Sequence, residues 1–183
     1  MPVRNKNAVV FSATTQVFVK PYGAPDSKYR PVGLLGQNAQ LQIEEAVREK
    51  KDFFPEVPVA VAVQSRSARL EATLREWESD NVAIAFGLTD NDFTVSTDGG
   101  TTTESVKVGL SGRVNYFTVR LEELLTNGWT REVILHKARI GLRGGLSFAS
   151  VEEGGDIPIV INAVYDPAAE ALLTINTKKP AQK

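Results

Sequence analysis

Between Gln40 and Trp77 the chain carries two extended arms joined at Pro55-Glu-Val-Pro58, and the apolar positions change phase partway along the second. Leu41, Ile43 and Val47 fall on one side of the first arm, with Gln42, Glu44 and Arg48 on the other. The second arm begins with Val59, Val61 and Val63 on its apolar side, but Ala68, Leu70, Ala72 and Leu74 then hold even numbers. A strand has a side-chain period of two, so one phase cannot generate both sets. Either a bulge near Ser65–Ser67 re-aims the chain, or the arm leaves one sheet and joins another. Residues Glu44–Lys51 are rich in helix formers, and Ile43, Val47, Lys50 and Phe54 lie near one helical face. The β-branched valines favour a strand for the second arm. A strand of that length needs a neighbour, and the first arm is the nearest. Both arms are therefore expected to be strands, in a long β-hairpin that projects beyond its own domain and pairs with neighbours.

At 183 residues the chain suits a single domain spanning 1–183, with a 42% hydrophobic and 23% charged composition ordinary for a globular protein. A formal net charge of −1 gives no basic excess, so tight, salt-sensitive DNA binding is not implied. The absence of cysteine removes disulfides, thiolate metal sites and cysteine nucleophiles. A single histidine, His136, excludes sites that need two imidazoles. No run approaches the roughly 18 apolar residues of a membrane span, and MPVRNKNAVVF lacks a signal-peptide pattern. Folding in a cytoplasm, with no membrane partner, is the expectation.

Along the chain, Met1–Asn7 is expected as a mobile arm unless a neighbour orders it. Strands are expected at Thr14–Lys20, Phe93–Ser96, Glu104–Leu110, Tyr116–Leu121, Glu132–Ile140, Leu146–Ala149, Ile157–Tyr165 and Ala171–Asn176. The last two are expected to form a hairpin across Asp166–Glu170. Ser79-Asp80 offers an N-cap for a short apolar helix over Val82–Phe86 closed by Gly87, which has to pack on a sheet to persist. Glu122–Gly128 suggests a helical turn, and the tail Thr177–Lys183 is expected to be loose. Strands separated by turns point to a mainly β fold, an antiparallel β-sandwich or barrel with one short flanking α-helix.

No enzymatic constellation is legible, and no catalytic, metal or cofactor residues are assigned. Asp90-Asn-Asp92 with Asp98 fails the calcium-loop spacing, because Val95 stands where glycine is needed and Thr101 where glutamate is needed. A turn bonding its own backbone explains those residues better. Gly141–Ser147 fits neither a dinucleotide fingerprint nor a phosphate loop. His136 has no readable Ser or Asp partner and is expected to be packed. Glu44-Glu45, Glu122-Glu123 and Glu152-Glu153 are adjacent, so in strands their carboxylates point to opposite faces. Trp77 and Trp129 suit core or interface anchors, with a sugar platform as the alternative.

The order of these parts resembles a bacteriophage tail tube protein. It rests on Leu35-Gly-Gln-Asn38, the charged hairpin with Glu45 and Lys50-Lys-Asp52, and the strand-to-helix segment LEATLREWESDNVAIAFG at Leu70–Gly87. The likeness spans Thr14–Leu88 well and the remainder by strand pattern. Such tubes are similar to those of contractile bacteriocins and type VI secretion. The resemblance implies a six-subunit ring forming a central β-barrel, and rings that stack. Gln40–Trp77 would supply one barrel hairpin, and Glu132–Leu142 with Ile157–Tyr165 the other. About four strands from each of six subunits, ~4.8 Å apart and tilted ~40°, give a backbone diameter near ~48 Å, wide enough for duplex DNA. Lumen-facing positions on this reading are Gln42, Glu44, Arg48, Gln64 and Arg66, with Glu44 pairing the arginines so that the wall stays neutral or acidic. DNA would pass without specific binding. The implied partners are further copies of the chain and a sheath, tape-measure, baseplate and terminator protein, in a virion tail assembled in a bacterial cytoplasm. The alternatives are a bacteriocin or secretion tube, and a monomeric β-sandwich binding carbohydrate or a small ligand.

Overall fold

The computed structural model describes residues 3–12, 14–35, 39–51, 58–75, 78–89, 93–109, 114–145 and 156–179. Among the described residues eleven strands and one α-helix follow one another: β1 (Val3–Val10), β2 (Gln16–Pro21), β3 (Arg30–Leu34), β4 (Gln40–Lys51), β5 (Pro58–Leu74), α1 (Ser79–Ala85), β6 (Phe93–Asp98), β7 (Thr101–Val106), β8 (Phe117–Leu124), β9 (Thr130–Leu142), β10 (Ile157–Val164) and β11 (Leu173–Lys178), with a 3-10 turn at Asp26–Lys28. The main sheet runs β1-β4-β5-β10-β9-β8-β2-β3, with β11 also on β9, and every pairing is antiparallel. It curls into a half-barrel. β6 and β7 form a separate hairpin around Gly99-Gly100, both at positive φ, the backbone a two-residue hairpin turn requires.

Alternation in the strands explains the curl. Val17 and Val19 of β2, Val119 and Leu121 of β8, and Val133, Leu135 and Ile140 of β9 turn inward. They meet Leu41, Leu70, Leu74, Ile157, Ile159 and Ile161 from the other limb in one apolar cluster. A bridge between Leu35 and Leu74 draws the end of β3 across to β5. α1 adds Ile84 and Ala85 to the core. The helix is tied to β3 by the Arg30–Asp80 ion pair (2.5 Å) and by the Asn81 side-chain amide donating to the Val32 carbonyl. Pro31 lies on the outermost strand, where a missing N–H costs least.

The phase slip in the second arm is a bulge. Ala46 stands opposite Ser65 and Val47 opposite Val63, so Gln64 is the extra residue. A second shift lies between Lys50 and Lys51. Both arms are strands, and β-pairing overrides the helix propensity of the first.

Several expectations need correction. Val3–Val10 is a strand along β4, so the N-terminal segment is ordered by its own chain. β10 and β11 do not pair with each other. Both lie along β9, β10 against Lys137–Leu142 and β11 against Thr130–Leu135, with Tyr165–Leu172 looping out between them. Thr177 and Lys178 belong to β11, and the Lys178 ammonium donates to Glu132, so the tail is pinned that far. Glu122–Leu124 continues β8 instead of turning helical. The strand expected at Leu146–Ala149 lies outside the described residues, as do Trp77 and Asp90–Asp92.

Candidate functional site: a forked sheet with one polar face

β5 is far longer than the strand beside it. β10 covers it only from Arg69 to Leu74, so from Pro58 to Ala68 one edge of β5 has no described neighbour. β11 has a similarly open edge, since it pairs only with β9. The two edges diverge where Tyr165 leaves the sheet, and a cleft of about 680 Å³ opens between them. Ile43, Ala68, Tyr165, Leu172 and Leu173 give it an apolar lining. Val63, 48% exposed, and Tyr165, 56% exposed, extend that apolar surface into solvent.

The β4–β5 ladder sorts the predicted lumen residues. Leu41–Leu70, Ile43–Ala68, Glu45–Arg66 and Val47–Val63 are opposite pairs and share the core-side face. Gln42–Arg69 and Glu44–Ser67 share the other. Gln42 and Glu44 are thus together, but Arg66 is on the opposite side, and its guanidinium pairs with Glu45 at 2.5 Å. Gln64 sits at the bulge itself. Arg48 is opposite Ala62 in the register, and its side chain lies outside the described residues.

The position of the slip accounts for the difference. With the extra residue at Gln64, Arg66 already belongs to the even, core-side phase of Ala68 and Leu70. Ser67, Arg69 and Glu71 take the places across from Gln42 and Glu44. Their odd spacing after the slip was the available signal.

The polar face continues across the sheet. Arg139, Asn162, Arg69 and Gln42 form one transverse row over β9, β10, β5 and β4. In the next row Glu71 accepts from Arg69 at 2.7 Å and from Arg143 at 2.7 Å. Glu71 is largely covered, at 22% exposure, whereas both arginines are open to solvent.

A second cleft lies on the outer face of β2, β8 and β9, lined by Lys20, Tyr22, Tyr29, Arg120, Glu132 and His136 among others. Its groups are engaged with one another. Arg120 lies over both Phe18 and Tyr29, Lys137 over Tyr22 and Tyr116, and His136 meets Thr174 at 2.7 Å. The Tyr22 hydroxyl donates to Asp166 at 2.8 Å; this bond lowers the Asp166 pKa and raises that of Tyr22. The Trp129 ring carries the Lys179 ammonium 4.5 Å from its centroid, which occupies that face as a platform. Among the described residues no group of three or more acidic or histidine side chains is arranged to hold a metal. No described helix is long and apolar enough to cross a membrane. The sequence matches no protein-family model and no curated protein.

Proposed function

We propose that this chain is a structural tube protein of the phage-tail kind, working as rings of identical copies that stack around a channel for DNA. The observation that carries the reading is the open edge of β5 from Pro58 to Ala68. At ~3.4 Å per residue this is on the order of 35 Å of backbone donors and acceptors without a described neighbour. Isolated proteins blunt such edges with charge, proline or a covering segment, because an open strand templates association. Here the edge borders an apolar cleft and exposed Val63. Closing such edges against other copies in a barrel removes the hazard.

In the proposed ring β4, β5, β10 and β9, which are contiguous in each copy, form the wall. Their polar face, with Gln42, Glu44, Ser67, Arg69, Glu71 and Asn162, turns to the channel, and the core face turns outward into the half-barrel. Side chains there are repeated in every copy, so selection acts on weak contacts multiplied many times. A sheath, tape-measure, baseplate and terminator would be the further partners in a virion tail.

The test is negative-stain microscopy with light scattering on purified protein over a concentration series. Rings or tubes with a central hole are expected. A species that remains a monomer at high concentration would overturn the reading in favour of a ligand-binding β-sandwich. Val63→Asp should abolish assembly while shifting the unfolding free energy of the subunit by no more than about 0.5 kcal/mol, as surface substitutions do.

A further inference from the structure

We infer that the polar face of β5, β10 and β9 is a phosphodiester-contacting surface whose affinity is held down by Glu71. The inference rests on the channel reading above for its biological setting, but its geometry belongs to the single chain. Three guanidiniums, Arg69, Arg139 and Arg143, stand on this patch around the Glu71 carboxylate. Glu71 gives one oxygen to Arg69 and the other to Arg143. Each arginine thereby spends donors on a neighbour that its planar fork would otherwise offer to the two non-bridging oxygens of a phosphodiester. No described residue forms an ion pair with Arg139, which remains the guanidinium open to a passing phosphate. Neutralising Glu71 adds one positive charge to the patch and frees two forks at once.

Repetition makes this clamp consequential. Binding to a polyanion by counterion release scales with the number of phosphates neutralised. In a ring each arginine freed in one copy is freed in all, so a small change per subunit becomes retention of the strand. Glu71 therefore sets whether the surface lets a nucleic acid slide or holds it. The ligand class is the phosphate backbone of duplex DNA, contacted without base readout because the donors lie on a flat strand face that enters no groove.

The experiment compares wild type, Glu71→Gln, Glu71→Gln/Arg143→Gln and Arg143→Glu for binding to a short mixed-sequence DNA duplex across a salt series. Each protein is also viewed by negative stain. Glu71→Gln is expected to bind about two- to fivefold more tightly per subunit at low salt, the size of one exposed ion pair. The slope of log affinity against log salt should steepen by about 0.9 for each additional phosphate engaged. Adding Arg143→Gln should reverse much of the gain. Arg143→Glu, at an exposed position, should weaken binding and flatten the slope, and it reads the same clamp if Glu71→Gln does not fold. Unchanged affinity and slope in Glu71→Gln and in Arg143→Glu overturn the inference. If the protein forms tubes and Glu71→Gln tubes retain no more DNA than wild type, the clamp fails and the tube reading stands. If no variant assembles but Glu71→Gln still gains affinity, the tube reading fails and the clamp stands.

Discussion

Gly87 takes a φ of +70°, and a Cβ placed there would meet the Ile140 carbonyl oxygen at 3.0 Å. The residue closes α1 in a backbone conformation that side chains resist, against a neighbour that cannot swing aside. Gly87→Ala should therefore cost more than about 1 kcal/mol, read as a lower denaturant midpoint with an unchanged slope. Buried carboxylates give a second effect at this scale. Glu132 is held below the ordinary carboxylate range by the Asn176 amide and by Lys178, despite its burial. For Glu123 burial pushes upward most strongly, but the Ser12 amide and hydroxyl and the Arg131 guanidinium together outweigh it. Carboxylates with a depressed folded pKa contribute stability that is complete above their unfolded values and is lost as pH falls through the folded ones. Thermal midpoints should accordingly decline on acidification below the ordinary carboxylate range. Glu132→Gln should lower stability at neutral pH by about 1–2 kcal/mol and make the acid decline shallower.

At the scale of elements, the bulge at Gln64 does two jobs: it keeps Ala68, Leu70, Ala72 and Leu74 in the core and puts Val63 on the same side farther out. Removing Gln64 leaves one uninterrupted phase, and the core end of β5 holds its register because Leu70 and Leu74 are fully buried. The outer end then has to invert. Deletion of Gln64 should give a folded subunit with native circular dichroism, and on the tube reading light scattering should find it unable to form the rings expected of the parent chain. Much of this element was legible in advance, since apolar residues at 59, 61 and 63 and then at 68, 70, 72 and 74 require a slip between them. Its exact position was not, because Ser65, Arg66 and Ser67 carry no apolar signal, and a shift of one residue separates Arg66 from the face of Gln42 and Glu44. A short helix here was readable from its run of small apolar residues and Gly87, but it begins earlier than Val82: Ser79 and Asp80 lie inside its first turn, and Glu78 stands at the N-cap with no side-chain bond. The pairing of Val3–Val10 was not, because VRNKNAVV has no alternation and its partners lie 30 to 44 positions away.

For the whole molecule, the fold class followed from strands punctuated by turns, whereas the curl and the branching at β9 depend on non-local pairing. β10 and β11 read as a hairpin because Asp166-Pro167 looks like its turn, yet β9 is long enough to hold both in line. The core that unites the limbs is sensitive to truncation: Leu70→Ala should cost about 2–5 kcal/mol and shift the denaturant midpoint of the subunit and of any assembly alike. Loss of Thr177–Lys183 removes the Lys178–Glu132 pair and the end of β11. It should therefore lower the melting temperature of the subunit itself, which differential scanning calorimetry would register.

The fork between β5 and β11 offers two unlike edges that face one cleft of a single copy. Any contact that joins one to the other is head-to-tail, and such a contact has no built-in stopping point. On the tube reading, the angle at the crotch would decide whether the series of copies bites its own tail or winds onward as an endless spiral. Tyr165 and Leu172, which line the cleft, would then act as the protractor of that series.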